Sequence, residues 1–348
     1  MGAVFMTGAT GFVGKELLDR FLAGDERHVY ALVRASDDRA AADRLPAHPR
    51  LTAVAGDIEK PGLGLDPATT RRLAGEVSTV MHCAASVSFE LSLPESRCIN
   101  VEGTRHVLEF AERCEQLERF SYVSTAYVGG EPDGVFREDQ LDVGQSFRNA
   151  YERSKFEAEL MLRERGSHLP LQILRPSIVV GDSRTGRTSS FNVLYGPLKA
   201  IARGAVPAIP ARRSSPVDIV PVDYVADRAY ELASDGPGGT FHLVAGRNAT
   251  SVGRLLELAS EHLGQRAPAV LWPGPYKRLV HPFLRRHKPG LRRMEVYFPY
   301  FSMRVRFDDR GLGPAPPVES YFGRLIEFAE EARWGRGSAV VGAAVAGA

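Results

Sequence analysis

Tyr151 and Lys155 stand four residues apart in a stretch of helix-forming residues that runs from 149 to 159. Four residues make about one helical turn, so the phenol and the ammonium would share one face of a helix. A tyrosine ordinarily loses its proton near pH ~10, and a neighbouring cation favours the phenolate. A tyrosine coupled to a lysine can therefore act as a general acid or base near neutral pH. Two unrelated polar residues on a helix surface would show the same spacing, so the pair needs partners elsewhere in the chain.

The first partner is a glycine pattern near the start of the chain. The strand-like run 4–7 is followed by glycines at 8, 11 and 14. Gly8 and Gly11 would let the backbone approach a pyrophosphate, and Gly14 would let the next helix pack on the strand. The free N–H groups at the start of that helix favour phosphate, so the pattern predicts a dinucleotide site. The predicted contacts are Gly8, Thr10, Gly11, Phe12, Val13 and Gly14.

The end of the second predicted strand indicates which dinucleotide fits. Arg34 lies 20 residues after Gly14, where an acidic residue would hold the ribose 2′-hydroxyl of NAD. An arginine there suits a 2′-phosphate, so we predict NADP(H) as the cofactor. Arg44 is either a second cation for that phosphate or a solvated surface arginine. Asp57 and Ile58 follow the third strand, where a carboxylate either binds the adenine amine or caps a turn.

A third partner is the buried-type strand 120–124, which ends in hydroxyl side chains. Thr125 lies 26 residues before Tyr151, with a strand-to-helix loop between them. Ligands of parallel sheets bind beyond the carboxyl ends of the strands. Thr125, Tyr151 and Lys155 can therefore meet over a nicotinamide ring. Ser124 is the weaker candidate for the hydroxyl.

Together these motifs resemble the extended short-chain dehydrogenases/reductases, from about Val4 to Gly246. The other shared motifs are His82-Cys83-Ala84-Ala85, Asn100-Val101-Glu102-Gly103-Thr104 and Arg175-Pro176-Ser177-Ile178. Within that superfamily the chain is most similar to the fatty acyl-CoA reductases and to the thioester reductase domains of carboxylic acid reductases and peptide synthetases. The segments that carry this closer resemblance are 84–89, 123–128, 149–155 and 217–223.

The resemblance implies reduction of an acyl thioester by NADPH to an aldehyde, with some relatives continuing to the alcohol. The catalytic hydroxyl, tyrosine and lysine of the family fall on Thr125, Tyr151 and Lys155. Both hydroxyls would stabilise the carbonyl oxygen, Tyr151 would deliver the proton, and Lys155 would lower the tyrosine pKa and hold the nicotinamide ribose. Asn100 would either anchor the loop beneath the site or start a helix. The implied dinucleotide contacts are the glycine turn, Arg34, Asp57, Ile58, Ala84, Ala85, Tyr151, Lys155, Pro176, Ser177 and Ile178.

Strand-like runs alternate with helical patterns through the first half of the chain. This predicts an α/β fold: a Rossmann-type doubly wound parallel sheet with a smaller, mostly helical C-terminal substrate region. The predicted strands are 3–7, 29–33, 51–55, 80–82, 120–124, 171–174 and 240–244, and the helices are 13–23, 67–74, 95–114, 150–164, 193–203, 222–233, 252–263 and 318–331. We expect an NADP-binding domain over 1–185, with 216–248 returning to it. A substrate region would follow over 186–215 and 249–334, and a disordered tail over 335–348.

The C-terminal third contains a basic segment, 277–293, in which cations alternate with apolar side chains. Its cations are Lys277, Arg278, Arg285, Arg286, Lys288, Arg292 and Arg293. Such a run is either a solvated face or a dock for an anionic carrier. The carrier would be the phosphates of coenzyme A, an acidic acyl carrier protein or an anionic membrane surface. The aromatic residues of 297–301 would either line an acyl tunnel or belong to the core.

Composition sets the remaining bounds. The 348 residues are 44% hydrophobic and 25% charged, which is typical of a globular protein with a sizeable core. A net charge of +2 gives no reason to expect nucleic acid. Cys83, Cys98 and Cys114 lack metal-ligand spacing, so we expect no metal and buried thiols in a reducing cytoplasm. No apolar run approaches the ~20 residues that cross a bilayer, and no leader precedes the first strand, so a cytoplasmic location is expected.

Three interpretations of function remain open from the sequence. The first is an NADPH-dependent reductase of acyl thioesters or of the derived aldehyde, acting on a hydrophobic acyl chain. The second is another reaction of the extended family: an alcohol or steroid dehydrogenase, or a nucleotide-sugar epimerase or dehydratase, which would consume no net NADPH. The third is a non-catalytic NADP-sensing protein, an outcome that usually loses the tyrosine or the lysine, whereas both are present here.

Overall fold

The computed structural model describes residues 2–24, 26–191, 193–276, 278, 282 and 289–336, the side chains of 289–294 excepted. The chain divides into two compact units. The first comprises Met1–Gly130, Glu138–Pro176 and Tyr224–Leu243, and the second comprises Glu131–Arg137, Ser177–Asp223 and Val244–Ala348. The segments 131–137, 177–185, 216–223 and 244–248, expected with the sheet, are thus grouped with the second unit.

The first unit contains a seven-stranded, wholly parallel sheet, as the sequence predicts. Its strands are β1 (Ala3–Thr7), β2 (Val29–Val33), β3 (Leu51–Ala55), β4 (Val77–His82), β5 (Arg119–Val123), Leu171–Pro176 and Gly239–Leu243. The order across the sheet is Gly239–Leu243, Leu171–Pro176, β5, β4, β1, β2 and β3. The chain reverses direction across the sheet at β1, which makes the edge between β1 and β4 the expected ligand crevice.

The central strands are buried along their whole length because helices cover both faces of a doubly wound sheet. Every residue of β1, β2 and β4 is buried. Phe5, Phe120 and Tyr122 have no exposed surface, and the Phe5 and Phe110 rings lie 4.4 Å apart. The helices around the sheet are α1 (Phe12–Gly24), α2 (Asp38–Ala42), α3 (Pro67–Glu76), α4 (Leu93–Arg97), α5 (Gly103–Ala111), α6 (Ala150–Arg165) and α8 (Val222–Asp235).

The predicted helix over 95–114 is confirmed as one helical run over 93–111, which contains a wide turn that the sequence did not predict. The segment forms α4, then a π-helical turn over Cys98–Glu102, then α5. A capping box between Ser92 and Glu95 starts α4. The wide turn places Asn100 in the interior, where its side chain is 1% exposed, and leaves Cys98 on the outside. The prediction of three buried thiols is therefore wrong for Cys98, whereas Cys114 is buried.

The second unit combines helices with four two-stranded sheets. Its helices include α7 (Tyr195–Ala202), α9 (Val252–Leu263) and Phe322–Glu331, and a 3₁₀ segment spans Pro289–Ser302. The strand pairs are Pro216–Val217 with Thr250–Ser251, Ile219–Pro221 with Ile178–Val180, Ala269–Leu271 with Ala208–Pro210, and Val305–Phe307 with Gly134–Phe136. Its core includes Tyr195, Tyr276, Phe298, Tyr321 and Phe322.

The aromatic residues near 300 belong to this core among the described residues. Phe298 is 8% exposed, and its ring meets the ring of Tyr276 at 5.8 Å in an edge-on arrangement. Phe301 packs against the same cluster. The core alternative is therefore the one that the structure supports, because these side chains fill the interior of the second unit.

Two further sequence expectations fall partly or wholly outside the described residues. Of the basic segment 277–293, the side chains of Lys277, Arg285, Arg286, Lys288, Arg292 and Arg293 are not described. Of the tail predicted to be disordered, Gly335 and Arg336 form a hydrogen-bonded turn, and 337–348 lie outside the described residues. Across the described part of the chain, no helix combines the length and the apolar character needed to cross a membrane.

Candidate active site

The glycine turn between β1 and α1 has the shape that a dinucleotide requires. Gly8 has a φ of 76°, and a Cβ there would lie 2.5 Å from the backbone nitrogen of Ala84. A Cβ on Gly14 would lie 1.9 Å from the carbonyl oxygen of Gly8. Side chains are thus excluded at both positions, and α1 can begin at Phe12 directly against the turn. This cradle fits a pyrophosphate at the start of a helix, which is the group that the pattern predicts.

A chain of hydrogen bonds joins the ends of β1 and β4 below the glycine turn. The Ala84 N–H donates to the Thr7 hydroxyl at 3.2 Å, and Thr7 Oγ1 lies 2.7 Å from His82 Nδ1. His82 Nε2 lies 3.0 Å from Thr104 Oγ1, which itself donates to the Asn100 carbonyl at 2.6 Å. The Thr104 hydroxyl has one proton and donates it to that carbonyl, so its oxygen must accept a hydrogen bond from His82 Nε2–H.

These directions fix His82 as the neutral Nε2–H tautomer. Burial lowers the pKa of His82 to about 3, and the charge of Lys155 lowers it further. A neutral ring can accept at Nδ1 from Thr7 while it donates at Nε2 to Thr104. His82 therefore acts as a fixed link between β1, β4 and α5.

Asn100 connects the loop after β4 to the helix that carries the tyrosine. Its Oδ1 accepts from the Ser86 N–H at 2.8 Å, and its Nδ2 donates to Ser86 O at 3.1 Å and to Ser154 Oγ at 2.9 Å. Ser154 in turn donates to the Tyr151 carbonyl at 3.0 Å. Asn100 thus anchors the loop beneath the site, which is one of the two roles expected from the sequence.

Thr125 and Tyr151 meet at the carboxyl edge of the sheet. Thr125 directly follows Ser124 at the end of β5, and its hydroxyl lies close enough to the Tyr151 phenol to lower the pKa of that phenol. The Thr125 hydroxyl also faces the Pro176 carbonyl at 3.3 Å and accepts from the Tyr127 N–H at 3.3 Å. The two hydroxyls are therefore neighbours, as the spacing predicts.

The expectation that Lys155 lowers the pKa of Tyr151 is wrong for this structure. Burial raises the pKa of Tyr151 to about 12, although the nearby Thr125 hydroxyl lowers it. The Lys155 ammonium donates instead to the Val123 carbonyl at 2.7 Å and lies 4.2 Å from the centre of the Tyr122 ring. The lysine is thus held by the strand β5, and the phenol stays protonated at neutral pH.

Lys155 is itself a perturbed group. Its side chain is 2% exposed, and burial lowers its pKa to about 7, although Cys83 and Glu159 raise it. Strongly shifted groups in a crevice are typical of functional sites. An ammonium that titrates near neutral pH makes the charge beside Tyr151 sensitive to pH.

A buried ion pair below the site was missed by the sequence reasoning. Arg175 donates two hydrogen bonds to Glu159, and both side chains have no exposed surface. Glu159 also accepts from the Ser124 hydroxyl. Ser124 is thereby occupied, which leaves Thr125 as the hydroxyl that faces Tyr151. The available signal was the four-residue spacing of Tyr151, Lys155 and Glu159 on one face of α6.

The candidate 2′-phosphate site lies at the end of β2. Arg34 is about half exposed and forms an ion pair with Glu59 at 3.2 Å. Arg44 reaches back and donates to the Arg34 carbonyl at 2.7 Å. The two predicted cations therefore do lie together, and a phosphate there would compete with Glu59 for Arg34.

Some of the other predicted dinucleotide contacts form hydrogen bonds within the protein, and others are accessible to a ligand. Asp57 accepts from the Glu59 N–H at 3.0 Å, which is the turn role expected as its alternative. The Ile58 carbonyl lies 2.7 Å from His106 Nδ1. Ala85, like Ala84, is partly exposed next to the glycine turn. Pro176 belongs to the first unit, whereas Ser177 and Ile178 belong to the second, and their contact with a dinucleotide stays a prediction.

A parallel sheet with a glycine turn, a Thr–Tyr pair and a buried lysine at its carboxyl edge defines an enzyme of the extended short-chain dehydrogenase/reductase class. The chain matches the family described as Male sterility protein over residues 6–229, and it belongs to that family. Its relatives place it in the group of fatty acyl-CoA reductases and terminal reductase domains.

Three similar proteins illustrate the relationship. The fatty acyl-CoA reductase wat of Drosophila melanogaster is 27% identical over 67% of this chain and 54% of its own length. The non-canonical nonribosomal peptide synthetase cpsA of Aspergillus campestris is 30% identical over 67% of this chain and 24% of its own length. The terminal R domain of the myxalamid PKS-NRPS pathway is 27% identical, with a TM-score of 0.82 over 96% of this chain and 92% of that domain. The chain thus spans about half or less of these two curated relatives and nearly all of the solved domain.

Proposed function

We propose that this protein reduces an acyl thioester to an aldehyde with NADPH, with Tyr151 as the proton donor. The observation that carries the proposal is the approach of the Thr125 hydroxyl to the Tyr151 phenol, with the buried Lys155 one turn further along the same helix. The names of its relatives support the substrate class, since they include a fatty acyl-CoA reductase and a terminal reductase domain.

The protonation state of Tyr151 suits the reductive direction. A bound NADPH would provide the hydride for the thioester carbonyl. Negative charge then develops on the carbonyl oxygen, and the Thr125 and Tyr151 hydroxyls stabilise it by hydrogen bonds. A phenol whose pKa is raised to about 12 carries its proton at neutral pH and delivers it to that oxygen. The resulting hemithioacetal collapses to the thiol and the aldehyde.

Lys155 completes this site as a cation close to the developing charge. In its charged form it would bind the nicotinamide ribose and favour the oxyanion. The Val123 carbonyl and the Tyr122 ring hold the ammonium at its place on α6. Turnover should therefore depend on the fraction of Lys155 that is protonated.

NADPH is proposed over NADH because two cations, Arg34 and Arg44, meet at the end of β2. An arginine there favours a 2′-phosphate, since the guanidinium fork matches phosphate geometry. The ion pair between Arg34 and Glu59 is exposed, and such pairs contribute at most about 1 kcal/mol, so a phosphate can displace it.

A cofactor-oxidation screen tests this proposal. NADPH consumption would be followed by absorbance with acyl-CoAs, acyl N-acetylcysteamine thioesters, aldehydes, ketones and sugar nucleotides. Products would be identified by mass spectrometry. We expect consumption of one NADPH for each aldehyde released from a thioester. Turnover of a sugar nucleotide without net NADPH consumption, and none of any thioester, would replace the proposal with epimerase chemistry.

A further inference from the structure

Three cations come together on the second unit, away from the basic segment singled out in the sequence. Lys199 and Arg203 stand four residues apart at the end of α7, and therefore on one side of that helix. Arg336 comes from the turn that follows the helix Phe322–Glu331. The Lys199 ammonium donates to the Trp334 carbonyl at 3.1 Å, two residues before Arg336, which brings the two segments together.

These cations lack compensating carboxylates. Among the described residues, none of the three forms an ion pair with an Asp or Glu. The pKa of Lys199 is lowered, first by burial and then by the charges of Arg336 and Arg203. The contrast is with Arg254 on α9, which lies within ion-pair distance of Glu257 and Glu261. Like charges without partners repel one another and destabilise a fold, so binding of an anion between them would be favourable.

The C-terminus of α7 explains only part of this arrangement. Cations in the last turn of a helix are favoured by its dipole, which accounts for Lys199 and Arg203. Arg336 belongs to another segment, and its place requires unusual backbone. Arg333 and Trp334 have φ of 50° and 56°, in the left-handed region that non-glycine residues rarely adopt, and Gly335 follows with 80°.

The left-handed turn is held by specific contacts. The Trp334 N–H donates to the Ala329 carbonyl at 2.7 Å, and the Arg336 N–H donates to Arg333 O at 3.3 Å. Trp334 packs against the core of the second unit. Such backbone costs energy, and it persists at sites where the surrounding structure fixes it. Here its result is a third cation placed beside two others.

We propose that Lys199, Arg203 and Arg336 form a binding site for the phosphate groups of a coenzyme A thioester. Two arginines beside one lysine match a compact group of several charges, such as a diphosphate or a phosphate monoester, better than the spread carboxylates of an acidic protein surface. Arginine forks bind phosphate oxygens in pairs, and lysine adds a point charge. The choice of coenzyme A as the source of these phosphates rests on the proposed function.

The test measures binding of free coenzyme A, dephospho-coenzyme A and pantetheine by titration calorimetry. The variant is Lys199→Gln/Arg203→Gln/Arg336→Gln, and the matched control is Arg254→Gln, which removes a paired cation from the same unit. Each lost charged contact should weaken coenzyme A binding by about ten-fold. Pantetheine, which lacks the phosphates, should bind both proteins equally. The single variants Arg203→Gln and Arg336→Gln repeat the test should the triple variant not fold.

Turnover separates this inference from the proposed function. Acyl N-acetylcysteamine thioesters carry no phosphate, so their reduction should be unchanged in the triple variant while KM for acyl-CoA rises. Equal affinity of variant and parent for coenzyme A would overturn the inference and leave the reductase proposal intact. Binding of an acidic carrier protein by the parent, with none of coenzyme A, would also overturn it. Absence of reduction of every thioester would instead contradict the proposed function.

Discussion

The Lys155 ammonium lies over the face of the Tyr122 ring, 4.2 Å from its centre, while it donates to the neighbouring Val123 carbonyl. Tyr122 has no exposed surface, and Lys155 is 2% exposed. The face of an aromatic ring attracts a cation, and the attraction is stronger where water is excluded. The strand β5 thus holds the Lys155 ammonium in place. Thr125, two residues after the end of this strand, faces Tyr151.

The first prediction concerns this ring. Tyr122→Leu removes the cation–π contact, so it should lower the pKa of Lys155 below about 7. Losing about 0.5–2 kcal/mol of cation–π stabilisation of the ammonium corresponds to a fall of about 0.4–1.5 units in the pKa of Lys155. Turnover requires the ammonium, so the alkaline fall of kcat/KM should move to lower pH by that amount. Tyr122→Phe keeps the ring and should leave the profile in place.

The neighbours of Lys155 make that profile interpretable. The titratable and charged groups around it are His82 and Cys83 at the end of β4, Tyr122 on β5, and Tyr151 and Glu159 on α6. The pKa is about 3 for His82, about 11 for Cys83 and about 12 for Tyr151, and Glu159 is paired with Arg175. Identical profiles for Tyr122→Leu and Tyr122→Phe would show that the ring does not stabilise the ammonium.

The second prediction concerns cofactor choice. Arg34→Ala should raise KM for NADPH by about ten-fold or more, the value of one charged hydrogen bond, and should leave KM for NADH unchanged. Glu59→Gln frees Arg34 from its 3.2 Å ion pair and should lower KM for NADPH. Steady-state kinetics with both cofactors measure these effects. An equal rise in KM for NADH would mean that Arg34 supports the fold of this edge of the sheet and does not bind the 2′-phosphate.

The third prediction concerns the glycine turn. Gly14→Ala would place a Cβ 1.9 Å from the Gly8 carbonyl, so the turn must open and NADPH binding should be lost. Gly75→Ala is the control, since nothing lies within 4 Å of its Cβ position on α3. That substitution should stabilise the protein by about 0.5–1 kcal/mol. Fluorescence titration with NADPH and thermal unfolding measure both, and unchanged binding by Gly14→Ala would contradict the turn as cofactor cradle.

The fourth prediction concerns the buried pair of Glu159 and Arg175. Removing one partner leaves a buried charge uncompensated, so Glu159→Gln or Arg175→Met should each cost about 3–5 kcal/mol of unfolding free energy. The double variant should cost less than the sum of the two. Arg213→Gln, which breaks the exposed pair with Glu257, should cost under about 1 kcal/mol. Additive losses in urea unfolding would show that the two groups do not interact.

The sequence predicted the elements whose signals are local. All seven sheet strands lie in runs that the sequence marks as strands, and Tyr151 and Lys155 share a face because their spacing fits a helical turn. The glycine turn was equally clear, since only glycine fits at Gly8 and Gly14. These features follow from residue type and period alone.

Features that depend on contacts distant in the chain could not be predicted in this way. The π-helical turn at Cys98–Glu102 reads as ordinary helix, because its cause is the burial of Asn100 against Ser86 and Ser154. The direction of the Lys155 ammonium toward Val123 O depends on the packing of α6 on β5. The predicted fall in the pKa of Tyr151 was wrong for the same reason. The spacing of Tyr151 and Lys155 shows that the two side chains share a helix face, and it does not show which way each side chain points.

The most direct measurement of the central claim is a single-turnover reduction of an acyl N-acetylcysteamine thioester by NADPH-loaded enzyme, for the parent and for Tyr151→Phe. Proton donation in the transition state contributes about 10²–10⁴-fold to such rates. We predict a loss of that size for Tyr151→Phe, with the NADPH dissociation constant unchanged. A Tyr151→Phe enzyme that binds NADPH and forms aldehyde at the parental rate would contradict the account.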